Sequence, residues 1–257
     1  MSRAEPAGPA RPRLPAAPTL RASLRRAAQD LYANSWRFLG ANLILGVVLL
    51  AVALVSVGAP IGVLGLVLAA PPAAGIMRMA VRLHREEHAD LDDFIEAIRS
   101  PWRALVLGGV QLLVLLVLLV DVMLGGVIGG MLGAVLSVSA LYGVLIWWIY
   151  ALVLWPLLED PLRADMRLRA RLRLAALVLV AFPLRMLAAG LLLGALMLAS
   201  AVSVVPMVSI AVAFAWLVAA HLVLPLADRI ERRPRPDAAV ETEDLPPTEP
   251  TDDTRAG

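Results

Sequence analysis

Residues 38–81 are apolar almost without interruption, and Arg78 is their one charged side chain. A helix that crosses a bilayer takes about 20 apolar residues, and a buried helix of a water-soluble domain rarely needs so long a run. The stretch therefore holds two crossings, parted by Gly58-Ala59-Pro60, whose residue types suit a tight turn. The pattern predicts spans over residues 38–57 and 61–81.

The rest of the chain repeats this plan. Arginine-bearing segments alternate with apolar runs, and further spans are expected over residues 104–121, 130–156, 185–204 and 207–227. Residues 174–200 are apolar except for Arg185; an arginine in mid-bilayer is costly, so the fifth span is expected to begin at Arg185 and not upstream of it. Each of three units then has an arginine where the chain enters the membrane (Arg37, Arg103, Arg185), an outward span, a short outer turn and a returning span with a proline (Pro72, Pro156, Pro225). Gly108 and Gly190 lie at matching distances beyond their arginines, and Asp160 and Asp228 follow the last two prolines closely. The expected fold is all-α: a polytopic membrane helical bundle of about six transmembrane helices in three hairpin-like units.

Between the spans, three segments have the apolar stripe of an amphipathic helix lying at the membrane surface. The first, residues 20–32, aligns Leu20, Leu24, Ala27, Ala28 and Leu31. The second, in the acidic connection 84–100, aligns Leu91, Phe94, Ile95 and Ile98. The third, rich in arginine, aligns Ala164, Leu168, Leu172, Ala175 and Leu179. His84 and His88 stand four apart beside Glu87, a spacing that could hold a metal; without the HExxH order a solvated face is the expected role, and no metal site is predicted.

Few polar groups interrupt the spans. Gln111 is the clearly polar side chain within the third, and Asp121 ends that span on the outer side, either as an interfacial carboxylate or as a functional one. His221, one turn before Pro225, is expected near the inner interface, held by a neighbouring helix, with a proton relay as the other role. Pro71-Pro72 remove two amide donors and predict a kink or short unwound segment, which either serves packing or lines a binding site. Gly125, Gly129 and Gly133 recur at the four-residue spacing that lets helices approach closely.

Composition agrees with a membrane protein. Of the 257 residues, 60% are hydrophobic and only 17% charged, against about 25% charged in soluble domains. The absence of cysteine excludes disulfides, thiolate metal sites and thiol nucleophiles. All 23 basic residues are arginine, a bias that points to a GC-rich bacterial genome and hence to a bacterial plasma membrane. The net charge of +2 does not imply nucleic acid, because the arginines fall in four blocks separated by the hairpins. The positive-inside rule puts all four blocks, and both termini, in the cytoplasm. Residues 1–18, rich in proline and alanine, and residues 231–257, with seven acids between Asp237 and Asp253, are expected to be disordered tails flanking one membrane domain, 19–230.

Four short stretches carry a resemblance: Leu31-Tyr32-Ala33-Asn34, Pro71-Pro72-Ala73-Ala74-Gly75, residues 93–99 and Phe182-Pro183-Leu184-Arg185. Together they resemble the bacterial YesL-like family of integral membrane proteins, from about residue 28 to 230. Residues 125–133 and both tails depart from that pattern. Genes of the family often neighbour carbohydrate-uptake systems, so the resemblance implies an accessory or regulatory role in solute uptake, with membrane transport proteins as partners. It implies no catalytic residues. The sequence likewise has no glycine-rich phosphate loop, no HExxH and no assembled Ser-His-Asp set, so no enzyme and no cofactor are expected. Arg37, Arg103 and Arg185, with the three prolines, are expected in structural or lipid-contacting roles, the arginines near anionic headgroups. The alternative function is a small-solute transporter or channel, in which Pro71, Pro72, Gln111, Asp121 and His221 would converge on a cavity.

Overall fold

The computed structural model describes residues 18–202 and 210–231. The readings of residues 1–17 and 232–257 as tails, the end of the fifth span, the start of the sixth and the outer turn at Pro206 lie outside these residues.

The chain is an all-α bundle, and no strand occurs among the described residues. Among the described residues six helices are long and apolar enough to cross a membrane, as expected of a multi-pass membrane protein. In order, the helices are α1 (Leu20–Ala33), α2 (Ser35–Gly58), α3 (Ala70–Glu86), α4 (Leu91–Arg99), α5 (Trp102–Ile128), α6 (Gly130–Glu159), α7 (Leu168–Ala181), α8 (Pro183–Val202) and α9 (Val212–Glu231). The six crossings are α2, the segment Ile61–Glu86 containing α3, then α5, α6, α8 and α9.

Local chemistry explains most boundaries. Thr19 caps α1, its hydroxyl oxygen accepting from the Ala22 amide at 3.2 Å. Asp90 and Asp93 form a reciprocal capping box that starts α4. The second span changes character part-way: Pro60–Ala69 is a 3₁₀ helix, and α-helix begins at Ala70. Pro71 and Pro72 fall in the first turn of α3, where a missing amide donor leaves no helical bond broken. The predicted irregularity is therefore real, but it lies before the two prolines, which are themselves buried in packing. Pro156 and Pro225 instead lie inside α6 and α9, so the three prolines are not structural equivalents.

The third span is longer than its apolar pattern suggests. Helix α5 runs on through Gly125 and Gly126 to Ile128, so Asp121 lies within the helix and does not end it. Gly129 and Gly130, with φ of +66° and +61°, make the turn to α6, a conformation that side chains other than glycine resist. The close contact predicted for Gly129 belongs to its neighbours. A Cβ on Gly125 would strike Ser137 Oγ, and one on Gly133 would strike the Gly125 carbonyl, whereas nothing lies near Gly129. The correspondence of Gly108 and Gly190 does hold: each lets a neighbouring helix approach, at Ala70 and Ile149 respectively.

The core is built on α3 and α9, whose inward faces include Ile76, Met77, Leu217 and Leu224. Helix α4 packs on this core through Asp93, Phe94 and Ala97. Ile95 and Ile98, expected on its apolar stripe, are exposed; the buried face is turned because Asp93 pairs with Arg82 at 2.7 Å. In α7 the buried face holds Leu174, Ala175 and Val178 together with Arg171, while Leu168 is exposed.

Candidate functional site

The ends of α3, α6 and α9 meet at one end of the bundle, and their charges close on one another there. Arg85, near the end of α3, donates to Asp228 Oδ2 and to Asp160 Oδ2, both at 2.8 Å. Arg163, in the 3₁₀ turn Pro161–Arg163, pairs with the same two carboxylates and with Glu231, reaching Asp228 and Glu231 at 2.6 Å. Two guanidiniums are thus interleaved with three carboxylates. Asp160 also caps the turn, accepting from the Leu162 amide at 3.1 Å. Burial alone would lower the proton affinity of Arg163, but its bonds to Glu231 and Asp228 outweigh that and raise it. Forked guanidinium–carboxylate pairs of this kind fix orientation as well as distance.

Beside this cluster, three more groups form a chain across α1, α3 and α9. His221 Nε2 is 2.6 Å from Asp30 Oδ2, and His221 Nδ1 is 2.9 Å from His84 Nδ1. In the tautomer in which Nε2 of a neutral His221 donates to Asp30, its Nδ1 accepts and His84 Nδ1–H donates. Pro225 supplies no amide to the His221 carbonyl one turn back, and the buried Ser23 hydroxyl reaches that carbonyl at 3.4 Å. His84 was expected on a solvated face. It is instead the last inward turn of α3, while His88 is exposed beside Asp90. No group of metal-ligand side chains occurs among the described residues.

A cleft of about 680 Å³ opens between α3, α4, α5, α6 and α7. Arg78, Arg103 and Arg171 line it, with Glu96, Glu159, Trp102 and Trp155. Arg78 takes both acids, bonding Glu159 at 2.9 Å and Glu96 at 3.4 Å. Arg171 is bound only by backbone carbonyls, those of Leu158, Arg163 and Ala164, at 2.7, 2.5 and 2.7 Å. It thereby caps the end of α6, where the helix dipole favours a cation. Its Nε is buried and has no hydrogen-bond partner among the described residues. Burial lowers the proton affinity of Arg171, and nearby Arg103 lowers it further. Arg103 itself has no ion-pair or hydrogen-bond partner among the described residues.

The other predicted residues are dispersed. Arg37, Arg103 and Arg185 do occupy one place, the first turn of α2, α5 and α8, but their contacts differ. Arg37 donates to the Ala89 carbonyl at 2.6 Å and lies over Trp36, whereas Arg185 reaches the Pro18 carbonyl at 3.3 Å and lies over Phe182. Gln111 Oε1 accepts from Trp155 Nε1 at 2.9 Å, which ties α5 to α6. Asp121 is half-buried and stands 18 residues beyond Arg103 on α5. At 1.5 Å per residue that is about 27 Å, close to the thickness of the hydrocarbon core. Gln111, Asp121 and His221 do not line the cleft.

The sequence pattern did not single out Asp30, Arg85, Arg163 or Arg171 for these roles. A signal for part of the cluster was present, since Asp160 and Asp228 each follow a proline at the end of a returning span. The chain matches no protein-family model, no curated protein and no solved structure.

Proposed function

We propose that this chain is a non-enzymatic accessory or regulatory component of solute uptake in a bacterial plasma membrane. The charged end of the bundle and both termini face the cytoplasm, and membrane transport proteins and anionic lipids are the partners. One observation carries the reading: side chains that a transport path would recruit are engaged separately, while the charged end offers a braced surface with an open cleft. Gln111 is bound to Trp155, His221 to His84 and Asp30, and Pro71 and Pro72 to the core. The resemblance to the YesL-like family supports carbohydrate as the solute class.

A small-solute transporter or channel is the alternative, and the 3₁₀ segment Pro60–Ala69 within the second span favours it, since interrupted helices recur in transporters. Two measurements separate the readings. Deleting the gene is expected to lower uptake of one or more sugars by intact cells, while liposomes holding the purified chain alone carry none of them. Uptake by those liposomes would establish the transporter; undiminished uptake by the deletion strain across a sugar panel would remove the association. Reporter fusions at Glu87, Arg169 and Thr251 are expected inside, and at Pro60, Asp121 and Pro206 outside. An outward Arg169 would reverse the orientation.

A further inference from the structure

The cleft beside α3 has a charge balance that its own residues leave open. Its two acids, Glu96 and Glu159, are both engaged by Arg78. Among the described residues that leaves Arg103, which is exposed, without a partner and Arg171 without an ion-paired carboxylate. Arg171 is only 7% exposed; its hydrogen bonds go to carbonyls, and the nearby carboxylates Glu159 and Asp160 act on it only through space and are shared with Arg78, Arg85 and Arg163. The Arg171 Nε is buried and unpartnered among the described residues. The cleft's volume, about 680 Å³, lies within the range of small-molecule sites.

The surroundings are apolar on one side. Val106 lines the cleft, and Val110, Leu113 and Val117 continue the same stripe along α5, each at least half exposed. Four residues spaced by four, three and four form one helix face. In a membrane that face meets lipid. A cationic cleft at the top of an apolar stripe, with Trp102 exposed at its rim, matches an anion that carries an acyl chain.

We propose that the cleft binds a single anionic phospholipid, its phosphodiester held by Arg103 and Arg171 and an acyl chain lying along Val106, Val110, Leu113 and Val117. A soluble phosphate ester shares the headgroup chemistry but has no use for the stripe. The inference rests on the membrane placement of the bundle and deepens the anionic-lipid partnership proposed above; failure of this lipid site would leave the role in solute uptake untouched.

The test uses the full chain, delipidated in detergent, with lipid retention read by native mass spectrometry. Phosphatidylglycerol is expected to bind one per chain and to be preferred over phosphatidylcholine with the same acyl chains. Arg103→Gln is expected to lower the phosphatidylglycerol affinity roughly tenfold, the scale of one charge-assisted hydrogen bond. Arg173→Gln and Arg99→Gln, exposed and outside the cleft, are expected to leave it unchanged. Arg171→Gln is expected to act in the same direction as Arg103→Gln. Because Arg171 also braces three carbonyls, Arg103→Gln decides the matter if the Arg171 variant does not fold. Equal retention of the two lipids, or an undiminished preference in Arg103→Gln, would overturn the site. Displacement of the lipid by millimolar glycerol 3-phosphate would overturn its lipid assignment in favour of a soluble ester.

Discussion

Helices α9 and α5 are both apolar and both long enough to span a bilayer, yet they are held in opposite ways. In its most apolar window α9 is 67% buried, whereas α5 is 0% buried. Helix α9 sits among α1, α3, α6 and α7 and ends in Asp228 and Glu231, which are locked to Arg85 and Arg163. Helix α5 leans chiefly on α6, through glycine contacts and two tryptophan bonds to Gln111, and presents its remaining surface outward. Lipid is as apolar as leucine, so burial by itself does little to hold helices together in a bilayer. What distinguishes α9 is the ionic lock at its end; what holds α5 is shape.

Asp160→Ala tests the lock and is expected to have the largest effect. It leaves Arg85 and Arg163, both mostly buried, short of a shared carboxylate, a loss of about 3–5 kcal/mol for a broken buried pair. A reversible unfolding titration in mixed detergent would read it. A midpoint unchanged from wild type would mean that α9 is held no differently from α5.

Gly125→Leu tests the shape contact and is expected to lose roughly 1–3 kcal/mol by overpacking against Ser137 and Gly133. Cysteine pairs placed across α5 and α6 should then cross-link less readily. Gly129→Ala should instead act through backbone strain of about 1 kcal/mol or more, without altering that cross-linking. Loss of cross-linking in the Gly129 variant would move the close contact back to the turn.

His221→Phe removes the bonds to Asp30 and His84 and is expected to loosen α1 from α9, on the order of 1–3 kcal/mol. Faster hydrogen exchange confined to residues 20–33 would be the signature. An unaltered exchange rate there would show that α1 is held by its leucines alone.

The smallest effect is expected from Arg185→Leu. Its one hydrogen bond among the described residues is to the Pro18 carbonyl at 3.3 Å, and partly exposed charge contacts contribute less than about 1 kcal/mol. Cysteine labelling from Leu179 to Leu191 should still fall off just past position 185, because α8 begins at Pro183 whatever follows it. Protection starting before position 175 would put Arg185 inside the bilayer.

The α class, the six long apolar helices and the presence of the short helices α1, α4 and α7 were legible in the sequence, because each depends on composition and period over a window of residues. The starts of α2, α5 and α8 within two residues of Arg37, Arg103 and Arg185 were legible too, since a charge and an apolar run mark a boundary locally. The spacing of Gly108 and Gly190 survived for the same reason. Gly129 misled because one spacing serves both close contact and turn, and only the path of α6 separates them. His84 misled more, since its neighbours in sequence are charged while its neighbours in space are His221 and the core. Asp30 and His221 are 191 residues apart, and Arg85 and Asp228 are 143. A span reveals that it is buried in lipid or protein, but not which faces turn inward, because in so apolar a chain both faces read alike. The ionic lock, the His84–His221–Asp30 chain and the arginine-lined cleft were therefore decided by helix packing alone.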